Sequence, residues 1–255
     1  MTELLLFICG IAVGGMNAIA GGGMLLGFPA LLFAGLPAIV ANATTGLIVL
    51  PGQISAVYGY RAYLAKIPRR YLLLIIPTTL GAVIGATLLR HTSHEHFDRL
   101  VPLLILGAVV LFIFQPFLHQ HTNRHIHGSK RHRDRWQPLL LLALAFVPIS
   151  IYGGFFGAGF GFLMLAFLGF TPVHEIHRIN ALKNLLAIGI ASGSLITLAG
   201  SHLIDWHHGA FMSAGCLIGG YVGARLAQRV PSHAVRITVI IIGLSAAAYL
   251  GFRTY

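Results

Sequence analysis

The polar residues that could bind a small solute are few, and the strongest candidates recur at two places in apolar surroundings. Asn42 and Thr44 stand close together in the first half of the chain, and Asn180 and Lys183 do so in the second. Amide, hydroxyl and ammonium groups can bind a small anion, and an ionisable residue inside an apolar helix points to function. We therefore expect these four residues to contribute to a substrate site. Weaker candidates for the same pathway are Gln53, Ser55, Ser192 and Ser194.

Two structural interpretations compete with a binding role for these polar residues. Asn and Thr at the start of a helix can cap its free N–H groups. The pattern places Lys183 only about four residues into its helix, so its ammonium group could also reach the membrane surface. Both alternatives stay open from the sequence.

Two glycine clusters add backbone groups to the candidate site: Gly21, Gly22 and Gly23, and then Gly157, Gly159 and Gly161. Glycine tolerates positive φ and leaves N–H groups free to face an anion. The helices that follow would point their positive N-terminal ends at the same place. The alternative is close helix packing through small residues, which we favour for the Gly-x-x-x-Gly pairs 81/85 and 219/223.

Histidine offers a different chemistry, because the chain has 14 histidines concentrated in loops. His94 and His96, with the carboxylates near them, could hold Zn, Cu or Ni. A divalent-metal (Ni/Zn-type) carrier that uses outer-loop histidines is thus the alternative function. No fixed metal-ligand motif occurs, so we predict no resident metal and no cofactor. No nucleotide-binding loop and no buried catalytic group are found either, and we predict that the chain is not an enzyme.

The composition places these residues in a membrane. Of the residues, 56% are hydrophobic and 9% are charged, where a soluble domain would carry about 25% charged residues. Lys and Arg outnumber Asp and Glu by 17 to 6, but the basic residues lie in short gaps between apolar runs. There they report orientation, so nucleic-acid binding is not expected. Residues 1–20 lack a basic start and a cleavage site, which favours a first membrane segment over a signal peptide.

Ten apolar segments can be drawn, and they differ in length. Eight are long enough at about 1.5 Å per residue to cross most or all of a core of about 30 Å. Segments 24–36 and 159–170 are too short, and each follows one of the glycine clusters. The long segments are 3–20, 38–60, 71–90, 99–118, 138–156, 179–200, 209–228 and 233–252.

An internal repeat relates the two halves of the chain. A constant offset of 138 residues superposes the glycine clusters, the Asn-Ala pairs at 42 and 180, and the Gly-x-x-x-Gly-Ala blocks at 81 and 219. We divide the chain into an N-terminal membrane repeat, 1–118, a cytoplasmic basic His-rich loop, 119–137, and a C-terminal membrane repeat, 138–255.

The loop charges predict that the repeats are inverted. Gaps 61–70 and 119–137 are rich in Lys and Arg and should be cytoplasmic, whereas 91–98 and 201–208 have none and should lie outside. Both termini then lie outside, and one repeat starts outside and the other inside, as in many secondary transporters. The predicted fold is an all-α polytopic membrane protein with two inverted-topology repeats, about eight long transmembrane helices and two short glycine-tipped helices forming hairpins. Because irregular backbone inside a membrane needs protein or a watery cavity around it, we place the transport pathway at the two tips.

Several blocks of the sequence resemble the TauE/SafE family of sulfite-exporter-like permeases, and the resemblance covers nearly the whole chain. In the first half they are Gly14-Gly15, Ala20-Gly21-Gly22-Gly23, Pro29, Gly35-Leu36-Pro37 and Ala43-Thr44. In the second half they are Gly153-Gly154-Phe155-Phe156-Gly157, Asn180-Ala181-Leu182-Lys183-Asn184, Ile204-Asp205-Trp206 and Gly219-Gly220-Tyr221-Val222-Gly223-Ala224-Arg225. The resemblance implies a secondary transporter of the cytoplasmic membrane that moves sulfur-containing anions such as sulfite or organosulfonates, usually outward. The long His-rich loop 119–137 departs from the family pattern.

We expect a small-anion permease that works by alternating access, with the lipid bilayer and a small anionic substrate as its partners. The sequence leaves a homo-oligomer open. A membrane anchor or assembly factor is the non-transport alternative, and it predicts no flux of any solute.

Overall fold

The structure is a computed structural model that describes residues 2–126, 137–169, 171, 173 and 175–228. Side chains are described at 2–110, 139–169, 171, 173 and 175–228. Within these ranges the chain is helical, with connecting turns and no strand. The all-helical prediction is therefore confirmed for the described residues.

The first half opens with a long helix, a short helix and a second long helix. These are α1 (Thr2–Ile19), α2 (Met24–Phe33) and α3 (Ala38–Gly59). The next elements are the short α4 (Arg61–Leu64), a 3₁₀ turn (Arg69–Leu74), α5 (Ile75–Arg90) and α6 (His94–Ile126).

The second half repeats the order of long, short and long helices. It contains α7 (Gln137–Phe155), α8 (Phe160–Leu168), α9 (Ile176–Leu198) and α10 (Trp206–Leu226). The two short helices thus occur where the sequence predicted them, each directly after a glycine cluster.

Some boundaries differ from the prediction. Helix α6 begins five residues before the predicted segment 99–118, because Ser93 accepts a hydrogen bond from the backbone N–H of His96 and starts the helix there. Helix α9 begins at Ile176, three residues earlier than predicted. The predicted segment 233–252 and much of the loop 119–137 lie outside the described residues.

Among the described helices, four have the length and apolar composition needed to cross a membrane: Thr2–Ile19, Ala38–Gly59, Arg69–Arg90 and Ile176–Leu198. Met24–Phe33 and Leu139–Phe155 are shorter apolar helices. Large apolar side chains also cover the surface, with Phe33 and Ile196 each 76% exposed. An exposed apolar surface of this kind is expected against lipid. The total of eight crossing segments stays a prediction.

Glycine lets α1 and α10 approach to backbone contact. A Cβ atom on Gly10 or Gly14 of α1 would overlap a backbone carbonyl of α10, and a Cβ on Gly215 or Gly219 of α10 would overlap one of α1. Because lipid is as apolar as a leucine side chain, membrane helices associate through such close packing. The packing interpretation of Gly219 is therefore confirmed.

Helices α5 and α7 pack in the same way. The offset of 138 residues relates the glycines of α5 to those of α10. A Cβ on Gly85 would overlap the carbonyl oxygen of Ile151, and one on Gly154 would overlap that of Ala82. Helix α5 of the first half of the chain thus packs against α7 and α9 of the second half, while α10 of the second half packs against α1 and α3 of the first. Each half of the chain therefore contributes one helix, α5 or α10, that packs against the other half.

The α5–α7 contact gives a stability prediction. Gly85→Ala should lower the melting temperature of the purified protein by roughly 5 °C or more, since overpacking a helix contact costs about 1–3 kcal/mol. Gly107→Ala is the matched control, because a Cβ there meets no atom of the described residues within 4 Å. Thermal unfolding in detergent measures both, and equal stability of the two variants would contradict the packing account.

Candidate functional site

The two hairpin tips touch each other through their backbones. Gly21 follows the end of α1 with φ of +84°, and Gly157 and Gly159 follow the end of α7 with φ of +77° and +80°. A Cβ on Gly21 would lie 2.8 Å from Cα of Gly161, and a Cβ on Gly161 would lie 2.6 Å from Cα of Gly21. Positive φ and this contact both require glycine. The two glycine clusters therefore meet at Gly21 and Gly161.

The remaining glycines of the first tip also lie in tight contact. A Cβ on Gly22 would overlap the ring of Phe162, and one on Gly23 would overlap the carbonyl oxygen of Val13. The N–H of Gly23 donates to Oδ1 of Asn17 at 2.9 Å, so this amide is used within the protein. For Gly22 and Gly23 the contacts are those of the packing interpretation.

A small, partly open cleft lies beside the second tip, where α3 begins and α9 ends. Gly157 lines it, whereas a Cβ on Gly159 would press on Ala108 at 3.0 Å. The cleft walls are mainly apolar and aromatic, and they include Met24, Val49, Leu89, Phe156, Phe160, Ile190 and Leu198. The polar residues that line it are Asn42, Thr45 and Ser194.

Two polar atoms at the cleft wall have no hydrogen-bond partner among the described residues. Asn42 donates through Nδ2 to the carbonyl oxygen of Phe155 at 2.8 Å, and its Oδ1 is buried without a hydrogen bond. The hydroxyl of Ser194 is also buried without one, whereas that of Thr45 donates to the carbonyl of Asn42. Buried polar atoms are rarely left unpaired, so an orphaned pair beside a cleft suits a bound ligand or water.

Lys183 lies away from this cleft opening, against the end of α1. Its side chain is 1% exposed, and Nζ donates to the carbonyl oxygens of Asn17 at 2.6 Å and Ala18 at 3.5 Å. Asn184 adds a hydrogen bond from Nδ2 to the same Ala18 oxygen at 3.4 Å. The C-terminal end of a helix carries partial negative charge and unpaired carbonyls, which an ammonium group satisfies. No carboxylate contacts Lys183 among the described residues.

The structure corrects two alternatives raised from the sequence. Lys183 is the eighth residue of α9 and is buried, so its ammonium group does not reach the surface. Asn42 and Asn180 are each the fifth residue of their helices, and the N-cap residues are Pro37 and Glu175. The capping interpretation was wrong because both helices begin earlier than the polar residues suggested. The buried Oδ1 of Asn180 has no hydrogen-bond partner in the part of the chain that the structure describes.

Thr44 joins α3 to the start of α10. Its fully buried hydroxyl donates to the carbonyl of Val40 at 2.7 Å and accepts from the N–H of Asp205 at 2.9 Å. Asp205 in turn caps α10 by accepting from the N–H of His208. Partial burial alone would raise the pKa of Asp205, but hydrogen bonds from His208 and the charges of His208 and His207 outweigh it and hold that pKa below its usual range.

Two residues that were not predicted from the sequence each stabilise one of the tips. Asn17 bonds the N–H of Gly23 and also supplies a carbonyl to Lys183. The hydroxyl of Tyr152 donates to the carbonyl of Ala158 at 2.6 Å in the second tip. The available signal was a hydrogen-bonding side chain close before each glycine cluster, Asn17 in α1 and Tyr152 in α7.

The histidines predicted to lie outside do not assemble a metal centre among the described residues, where no group of three or more His, Cys, Asp or Glu side chains could hold an ion. His96 bonds Ser93, His207 bonds Glu3 and His208 bonds Asp205. These pairs are local contacts of loops and helix ends.

Comparisons with known proteins agree with the helical, apolar architecture. The family model described as "Sulfite exporter TauE/SafE" matches residues 6–250. The chain is 31% identical over 251 residues to a probable membrane transporter protein of Haemophilus influenzae, covering 96% of this chain and 92% of the relative. It is 28% identical over 252 residues to the probable membrane transporter protein YfcA of Escherichia coli K12, covering 98% and 90%. No solved structure matches the chain significantly.

The contact between the tips gives a second stability prediction. Gly21→Ala should destabilise the protein more than Gly35→Ala, because both glycines have positive φ but only Gly21 touches another backbone. Left-handed backbone alone costs about 1–2 kcal/mol for a residue with a Cβ, so Gly35→Ala isolates that term. Melting temperatures in detergent compare the two. An equal loss of stability would mean that the tips do not depend on this contact.

Proposed function

The chain belongs to the sulfite exporter TauE/SafE family of membrane transporters, and on that basis we propose that it is a secondary carrier of a small anion. Sulfite and organosulfonates are the first substrates to test, since the family description names sulfite export. Within this proposal the chain is a permease and not an enzyme.

The proposed membrane arrangement follows the distribution of basic residues. Eight long helices cross the bilayer, and the two glycine-tipped hairpins enter it from opposite faces. The repeats 1–118 and 138–255 are inverted, both termini lie outside, and the basic loop 119–137 lies in the cytoplasm. The gaps 61–70 and 119–137, rich in Lys and Arg, support this orientation in the cytoplasmic membrane.

Lys183 is the main support for an anionic substrate. A fully buried ammonium group with no carboxylate partner is unusual and costly. Here only backbone carbonyls and the negative end of α1 balance its charge within the described residues. An anion that reached Lys183 would complete the pairing, whereas a cation would be repelled.

The cleft beside the second tip supports a path through the centre of the molecule. Its apolar walls and its two orphaned polar atoms suit a small solute with an organic or weakly hydrated part. With the proposed orientation, the cleft faces outward and Lys183 lies toward the cytoplasm. Substrate would thus be exposed to the two sides in turn, as alternating access requires. Of the residues predicted for the site, we assign solute contact to Asn42, Gly157, Asn180 and Lys183. The others hold the tips and helix ends in place: Gly21, Gly22, Gly23, Thr44, Gly159 and Gly161.

Flux through proteoliposomes tests this function. Protein-dependent flux of sulfite or of a small alkanesulfonate should fall at least about tenfold in Lys183→Met, because the buried cation that pairs with the anion is removed. Asn42→Ala should reduce flux as well. Ile196→Ala is the matched control, since Ile196 lies on the same helix as Lys183 but is 76% exposed.

Two results would contradict the proposal. Flux of every tested anion could equal that of empty liposomes, as expected of an anchor or assembly factor. Alternatively, flux could appear only with Ni²⁺ or Zn²⁺ and disappear in His94→Ala with His96→Ala, which would establish the metal carrier instead.

A further inference from the structure

The repeat allows the cleft to be compared with the equivalent place in the other half. The offset of 138 residues relates Thr45 to Lys183 and Gly46 to Asn184. It also relates Phe155 and Phe156, at the second tip, to Asn17 and Ala18 at the first. The residues around the cleft therefore have counterparts around Lys183.

On the cleft side the two positions carry a threonine and a glycine. Thr45 bonds within its own helix, to the carbonyl of Asn42. A Cβ on Gly46 would meet nothing closer than Cβ of Ser194 at 3.8 Å, which leaves open space between α3 and α9. Only Asn42 reaches across to the carbonyl of Phe155.

On the other side the equivalent positions carry long polar side chains that bond to another helix. Lys183 and Asn184 both donate to carbonyls at the end of α1. The closed arrangement leaves buried polar atoms without partners: Nδ2 of Asn17, Oδ1 of Asn180 and Oδ1 of Asn184. Unpaired atoms of this kind are costly when buried, and water or solute would satisfy them. Water or solute could reach these atoms only through a chamber on this side, and the packing observed here would be its shut state.

We propose that Lys183 and Asn184 are positioning residues that latch this second chamber closed by holding the end of α1. Release of the Asn17 and Ala18 carbonyls opens a chamber equivalent to the observed cleft, as the cleft closes. The freed ammonium group then faces the chamber and meets the transported anion. The inference rests on the proposed alternating access, and it adds the pair of contacts that controls one of the two gates.

The latch can be tested by thiol labelling at two equivalent positions, Val49 in the cleft wall and Ala187 on the closed side. Val49→Cys and Ala187→Cys are made separately in the full chain, in a background where Cys9 and Cys216 are alanine. Membranes are treated with a charged maleimide, and the unsubstituted background gives the blank. The measurement needs neither substrate nor transport.

Each reporter is then combined with changes at the latch. Lys183→Met should raise labelling at position 187 by about tenfold or more and lower it at position 49, because a charge-assisted bond that favours one state is lost. Lys183→Arg keeps a cationic donor and should stay close to the unaltered protein. Asn184→Ala should shift both reporters in the same directions by a smaller factor, and it serves if Lys183→Met does not fold.

Two outcomes would overturn the latch. Labelling that is unchanged at both positions would mean that Lys183 does not control a gate. Labelling that rises at both would mean that Lys183 only stabilises the packing. Because no substrate is present, a reciprocal shift without measurable anion flux would keep the latch and reject the anion proposal, while flux without a shift would do the reverse.

Discussion

The contact between Gly21 and Gly161 is the constraint on which the centre of this protein depends. Two helices, α1 and α7, end inside the molecule, and the chain reverses there through glycines with positive φ. Two broken helix ends leave carbonyl groups that lipid cannot satisfy. The backbones can meet only because neither tip carries a Cβ at the crossing point.

Each broken end is completed by the other half of the chain. Asn42 of the first half caps the carbonyl of Phe155, and Lys183 of the second half caps that of Asn17. Helix α5 of the first half and helix α10 of the second half likewise pack against the other half through glycine contacts. A movement of one tip therefore changes contacts in both halves, and the proposed alternating access would use this coupling.

The short helices and their tips could be predicted because their signals are local: a glycine cluster and an apolar run too short to cross the bilayer. The partner of Lys183 could not be predicted, since it depends on which helix end the fold brings beside α9. For the same reason, the sequence could not predict which glycines pack against other helices and which line the cleft. Gly22 packs under Phe162, whereas Gly157 borders the cleft, although both stand in similar clusters. The capping interpretation failed for a further reason. The N-cap residues of α3 and α9 are Pro37 and Glu175, which lack the usual capping side chains.

The central claim is that solute passes where the two tips meet, and a bound anion located directly tests it best. Crystals of the protein grown with a bromine-labelled alkanesulfonate would locate the solute by anomalous scattering from bromine. The account predicts a bromine peak in the cleft, bordered by Asn42 and Ser194. A peak found only on the exposed surface or at another helix crossing, with the cleft empty at a concentration that saturates transport, would contradict it.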